Sequence, residues 1–213
     1  MILTREAILD LYERDHLVIE PFEPELVGPN SVNVRLGDTL YYRNHPNTDT
    51  VVDLMDDLRD FWRPLHAHQF RANEKAFILQ PRTHYLGTTA GRIGAKAGSV
   101  SVLGGPENVS IVPEMKARST TGRNGLTVAI CAGLGDVGYT SRWTLEICNL
   151  NPFPVVLVPG VEIGQVVFHT ATATEAVYGG TNHYQVDPEG GFRIFPKPYA
   201  KPCVADEASP LGK

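Results

Sequence analysis

Cysteine is scarce. Cys131, Cys148 and Cys203 stand far apart and form no CxxC pair. They offer no disulfide framework, which suits a reducing, cytoplasmic setting. Excess positive charge is missing too. The formal net charge is −5, whereas general nucleic-acid binders carry a basic balance, so no nucleic-acid partner is expected. A charged substrate must then meet a local cationic cluster or arrive with a bound cation. No apolar run approaches membrane-spanning length. The opening Met1-Ile2-Leu3-Thr4-Arg5-Glu6 lacks the long apolar stretch of a signal peptide, so no membrane partner is expected either. No repeat and no linker divides the 213 residues, which implies one domain with decorations.

Glycine and proline, in contrast, are plentiful and scattered, as many short strands joined by turns require. Thr4 is placed to cap a helix over about Arg5–Arg14, with Ile8, Leu11 and Tyr12 on one face. Ser31 to Leu36 alternates polar and apolar and predicts a half-buried strand. A turn at Gly37-Asp38 would precede its continuation over Leu40–Arg43. Residues 44–75 are polar and irregular, a short helix or a surface excursion. His66 and His68 have no third ligand nearby and read as solvated histidines. Short β-runs then follow at 77–79, 85–87, 100–103 and 109–112. Val158-Pro159-Gly160-Val161 has proline and glycine placed for a type II turn between Val155–Leu157 and Gln165–Phe168. Such regular short strands predict an all-β barrel or jelly-roll-like sandwich.

One stretch stands out for its chemistry. Arg118-Ser119-Thr120-Thr121-Gly122-Arg123-Asn124-Gly125-Leu126 carries two arginines, three hydroxyls and two glycines with no acid, and Lys116 lies just upstream. Arginine offers a planar fork for phosphate or carboxylate, and hydroxyls and exposed N–H groups complete an anion site. Alone, the stretch is better described as a polar loop of solvated cations. A second feature is Glu146. On a strand through Trp143-Thr144-Leu145-Glu146-Ile147-Cys148, Trp143, Leu145 and Ile147 share one face and Thr144, Glu146 and Cys148 the other. Glu146 therefore faces either solvent or a partly closed pocket, where desolvation would raise its pKa toward a proton-shuttle range.

In order and spacing, four blocks resemble the dCTP deaminase branch of the trimeric dUTPase superfamily. They are Arg118–Leu126, Ala132-Gly133-Leu134-Gly135-Asp136-Val137-Gly138-Tyr139, Thr144-Leu145-Glu146, and Pro159-Gly160-Val161-Glu162-Ile163-Gly164-Gln165. Ile19-Glu20-Pro21-Phe22 and Pro29-Asn30-Ser31-Val32-Asn33-Val34-Arg35-Leu36-Gly37 resemble its early segment, although the family usually has an acid where Asn33 stands. The resemblance implies a dUTPase-like distorted β-barrel or jelly-roll with a short N-terminal helix and few others. Its domain would span 1–195: about 1–75 as N-terminal decoration, 76–170 as the β core and 171–195 as a lid region. An irregular tail, 196–213, would follow.

The function implied is deamination of dCTP to dUTP and ammonia. Glu146 falls where this family carries its catalytic glutamate, while simple dUTPases have an apolar residue there. Attack at cytosine C4 needs an activated water and a proton for the leaving ammonia. The H-x-E and P-C-x-x-C signatures of zinc deaminases are both absent, and Pro202-Cys203 lacks the second cysteine. The resemblance thus implies a route without zinc. Glu146 relays protons, Ser119 and the Ala132 backbone hold water and ammonia, and Arg123 supports the charge arrangement. It carries nucleotide binding onto Arg118, Ser119, Thr120, Thr121, Gly122, Arg123, Asp136, Tyr139, Thr144, Leu145, Gln165, Tyr178, His183 and Gln185. Asp136 would meet the 3′-hydroxyl and Tyr139 would screen against a 2′-hydroxyl. Magnesium would ride on the triphosphate without direct protein ligands. A homotrimer with sites between subunits and dTTP as an inhibitor are also implied.

Departures cluster late in the chain. His183 stands where the family has lysine and Asp187 where it has a second glutamine, while Gly190-Gly191-Phe192-Arg193 offers another phosphate lid. Ala129, Ile130 and Cys131 replace the His and Thr often found upstream of Ala132. Gly133 beside Ala132 resembles bifunctional members that convert dCTP straight to dUMP. A non-catalytic dNTP-binding β-trimer and a modified cytosine nucleotide as substrate are further alternatives.

Overall fold

The computed structural model describes residues 1–44, 51–130, 132–178 and 194–199. Helix α1 (Arg5–Glu13) opens where expected. The Thr4 hydroxyl accepts from the Ala7 N–H, and Ala7, Ile8 and Leu11 are buried. Twelve strands follow among the described residues: β1 (Leu17–Glu20), β2 (Val32–Arg43), β3 (Trp62–Leu65), β4 (His68–Arg71), β5 (Glu74–Leu79), β6 (His84–Thr89), β7 (Arg92–Ala95), β8 (Val109–Ala117), β9 (Thr140–Ser141), β10 (Thr144–Cys148), β11 (Val155–Leu157) and β12 (Glu162–Thr172). One short helix, α2 (Ser119–Arg123), separates β8 from β9.

The strands form a six-stranded sheet ordered β10-β6-β2-β12-β8, with β3 attached to β2, and two three-stranded sheets, β1-β7-β9 and β11-β5-β4. Every named pairing is antiparallel. Alternation decides which face is buried. Val32, Val34 and Leu36 of β2 are buried, as are Leu145 and Ile147 of β10 and Val166 and Phe168 of β12, and they share one core with the inner face of α1.

Five local expectations change. Within 44–75, read as irregular, β3 pairs with β2 and β4 with β5. Gly37-Asp38 makes no turn. β2 runs through it with a register shift against β6 between Leu36 and Leu40, where a Cβ on Gly37 would lie 2.7 Å from Thr88 Oγ1. Residues 100–103 form no strand, contributing one bridge from Val100 to Val109. The Arg118–Leu126 stretch holds a helical turn rather than a loop. Most consequentially, β2 pairs with β12, β6 and β3. This part of the N-terminal stretch is therefore core rather than decoration, because its apolar alternation needs partners on both sides. The turn at 158–161 is as expected, with Gly160 at φ 83°.

Candidate functional site

Glu146 lies on β10 opposite Leu86 of β6. Trp143, Leu145 and Ile147 are buried on the core side, which turns Thr144, Glu146 and Cys148 outward, all half-buried. The segment after α2 runs along the free edge of β10. The Glu146 N–H donates to the Val128 carbonyl at 2.8 Å, and the Glu146 carbonyl accepts from the Thr127 hydroxyl at 2.7 Å. One carboxylate oxygen of Glu146 accepts from the Ile130 N–H at 2.8 Å. A backbone donor fixes the carboxylate orientation without neutralising its charge, so one oxygen is held and the other left for chemistry.

The chain past Ala132 is held close to β8. The Met115 N–H donates to the Gly133 carbonyl at 2.6 Å, and a Cβ on Gly133 would sit 2.6 Å from the Met115 carbonyl oxygen. Any side chain there would push Ala132 off its position, and the Gly135 N–H, donating to the Pro113 carbonyl at 2.8 Å, ties the residue before Asp136 to the same strand. Tyr139 is buried, its ring edge-on to Trp143 at 4.9 Å and to Tyr178 at 5.4 Å. Burial pushes its phenol well above the usual range, so it stays protonated and donates to the Arg142 carbonyl at 3.3 Å. Glu146, Thr144, Ala132, Asp136, Tyr139 and Tyr178 all line one cavity of about 430 Å³.

Three residues that the sequence did not single out complete this wall: Arg43 of β2, Trp62 of β3 and His84 of β6. The Arg43 guanidinium lies over the Trp62 ring at 5.3 Å, and the imidazole of His84 meets that ring edge-on at 5.7 Å. Burial chiefly, then the nearby Arg43, lowers the His84 pKa, while Glu146 pulls it upward. Ile194 and Pro196 also line the cavity. Only the alternation of His84 with Leu86 hinted at this role, and it required the β6–β10 register to be read.

The residues that the sequence suggests for anion binding lie elsewhere. Ser119, Thr120, Gly122 and Arg123 are exposed on α2, and Thr120 and Arg123 line a groove shared with β11 and the start of β12. None of them borders the cavity of Glu146. Arg123 has no partner among the described residues. The Thr121 hydroxyl is buried and donates to the Ile163 carbonyl at 2.7 Å, so it anchors the helix rather than facing a ligand. Arg118 pairs with Glu162. Gln165 Oε1 accepts from Ser31 Oγ at 3.0 Å. Leu145 is fully buried, which withdraws its side chain from any binding role. His183 and Gln185 lie outside the described residues, as do Asp187 and Cys131. Among the described residues no group of three or more His, Cys, Asp or Glu side chains converges to hold a metal ion, and the His66–His68 pair is no exception.

Comparison with known proteins places these features. A family model described as dCTP deaminase-like matches residues 2–171. A Methanosphaerula palustris protein named dCTP deaminase, dUMP-forming, is 33% identical over 178 residues, 84% of this chain and 86% of its own length. One from Leptospira biflexa with the same name is 34% identical over 179 residues, 84% and 87% respectively. The crystal structure of 2′-deoxycytidine 5′-triphosphate deaminase from Agrobacterium tumefaciens matches with a TM-score of 0.55 at 22% identity. That match covers 78% of this chain and 46% of the other, and at this identity it speaks for the fold alone. The chain belongs to the dCTP deaminase-like family.

Proposed function

We propose that this protein converts dCTP and two waters to dUMP, ammonia and diphosphate. The observation that carries the reading is the Glu146 carboxylate, held by the Ile130 N–H at 2.8 Å in a cavity shared with Ala132, Asp136 and Tyr139. In this reading Glu146 takes a proton from water as its oxygen attacks C4, then delivers a proton to the departing ammonia. The Ala132 backbone orients the water. Asp136 accepts from the sugar 3′-hydroxyl, and Tyr139 closes the floor beneath it. Ser119, Arg118 and Arg123 receive the phosphates from a neighbouring copy in a homotrimer, since in one chain they lie away from the cavity.

Release of dUMP is preferred over dUTP because the similar proteins from Methanosphaerula palustris and Leptospira biflexa are both named dUMP-forming. Gly133, which only a glycine could occupy against Met115, agrees with that branch. Magnesium fits as a companion of the triphosphate. Among the described residues the cavity offers only Glu146 and Asp136 as carboxylates, fewer than a dedicated protein cage uses. When bound, magnesium would neutralise phosphate charge.

The test is incubation with dCTP and magnesium, following ammonia, diphosphate and nucleotide together. Ammonia and diphosphate should appear in step, with dUMP as product. Accumulating dUTP without diphosphate would restore the simpler deaminase. In Glu146→Gln, dCTP binding should persist while ammonia release falls roughly a hundred- to ten-thousandfold. Unchanged release in pure protein would remove Glu146 from the chemistry.

A further inference from the structure

Glu162 has no part in the reaction described above, yet two side chains converge on one of its oxygens. Asn33 Nδ2 donates to Oε2 at 2.9 Å, and Arg118 forms an ion pair with the same oxygen. The contact joins β2, β12 and the residue that leads into α2. It is half-buried, with side-chain exposures of 35% for Arg118 and 30% for Glu162. The next residue, Ile163, accepts from Thr121 at 2.7 Å. Consecutive residues of β12 therefore hold both the backbone of α2 and the guanidinium at its start. The other nearby cations behave differently: Arg35, opposite Glu162 in the strand register, is paired with Glu23, Lys116 is paired with Glu114, and Arg123 has no partner among the described residues.

We propose that Glu162 is a positioning residue for phosphate recognition, orienting Arg118 while Asn33 fixes the carboxylate in turn. This rests on the reading of Arg118 as a phosphate ligand. A guanidinium has five donors in a planar fork. Holding one nitrogen leaves the rest aimed and lowers the rotamer entropy lost when an anion arrives. An ion pair of this exposure adds little to folding stability by itself, so its effect belongs to binding. The geometry also makes the charge portable. Asn33 touches the very oxygen that Arg118 touches, so an aspartate at 33 opposite a glutamine at 162 keeps one carboxylate beside the guanidinium.

The experiment compares wild type, E162Q, R118A, E162Q/R118A and N33D/E162Q. Calorimetry measures binding of dCTP and of inorganic tripolyphosphate, steady-state assays give KM and kcat, and melting is followed for each. E162Q should raise both Kd values and KM roughly tenfold with kcat and melting little changed. It should add nothing in the R118A background, and N33D/E162Q should regain most of the binding. Losses that add, a deficit that the relocated carboxylate leaves untouched, or unchanged binding in E162Q would overturn the proposal. Wild type that binds dCTP and releases no ammonia refutes the reaction and leaves the binding comparison decisive. Wild type that binds neither ligand overturns the phosphate reading and this inference with it.

Discussion

His84 stands diagonally across β6 and β10 from Glu146, next to Leu86 and opposite Cys148. Its Nε2 is buried without a partner among the described residues, and so is the Nε1 of Trp62 beside it. Burial, reinforced by Arg43, holds its pKa below the ordinary 6.5. The sign of the consequence follows. As pH falls, the unfolded chain takes this proton first, so the stability present above about pH 6.5 is lost as pH drops below it toward the folded value. Wild type should melt at progressively lower temperature below pH 6.5, and His84→Phe should flatten that slope. Melting curves across this range check it, and parallel slopes would dissociate His84 from the acid limb. Asn33 teaches a related lesson. The sequence marks it as an amide where an acid is usual. The compensating carboxylate of Glu162 stands on the neighbouring strand, a relation that no linear spacing displays.

At the scale of elements, α2 is a single turn and too short to persist unaided. The Ile163 carbonyl of β12 holds it, accepting from the Thr121 hydroxyl at 2.7 Å and from the Arg118 N–H at 3.5 Å, while the Arg118–Glu162 pair orients the guanidinium at its start. Thr121→Val keeps the volume but removes a buried donor, leaving the Ile163 carbonyl only the long bond from the Arg118 N–H at 3.5 Å. It should cost about 1–3 kcal/mol and raise KM as the cradle loosens. Urea unfolding and steady-state kinetics check both, and an unaffected midpoint would show that the helix is held by other means. The same element explains what was legible in the sequence. α1 could be read because its cap and apolar spacing are local, and β10 because Trp143, Leu145 and Ile147 alternate. α2 could not, because serine, threonine and glycine are poor helix formers and its support comes from residues some forty positions downstream. Arg43, Trp62 and His84 escaped notice for the same reason, since strand register alone brings them to the cavity wall.

At the scale of the molecule, the fold separates the two groups of residues that the proposed reaction needs. Glu146, Asp136 and Tyr139 line one cavity, and α2 lines another groove. Large apolar side chains lie exposed at and beside the cavity: Leu134, at 68%, lines it, and Ile130, at 55%, adjoins Glu146 through its backbone. A second copy covering them would bring its own Ser119 and Arg123 to the nucleotide. This makes the active site divisible. Glu146→Gln loses the proton relay but retains its cradle, and Arg123→Ala loses the cradle but retains its relay. Each homogeneous variant should be nearly inactive. Unfolded together in equal amounts and refolded, they should regain about a quarter of wild-type ammonia release, because each site draws relay and cradle independently from two subunits. Merely mixing the folded variants should recover less, to the degree that subunits fail to exchange. A co-refolded mixture as inactive as its parents would place relay and cradle in the same chain.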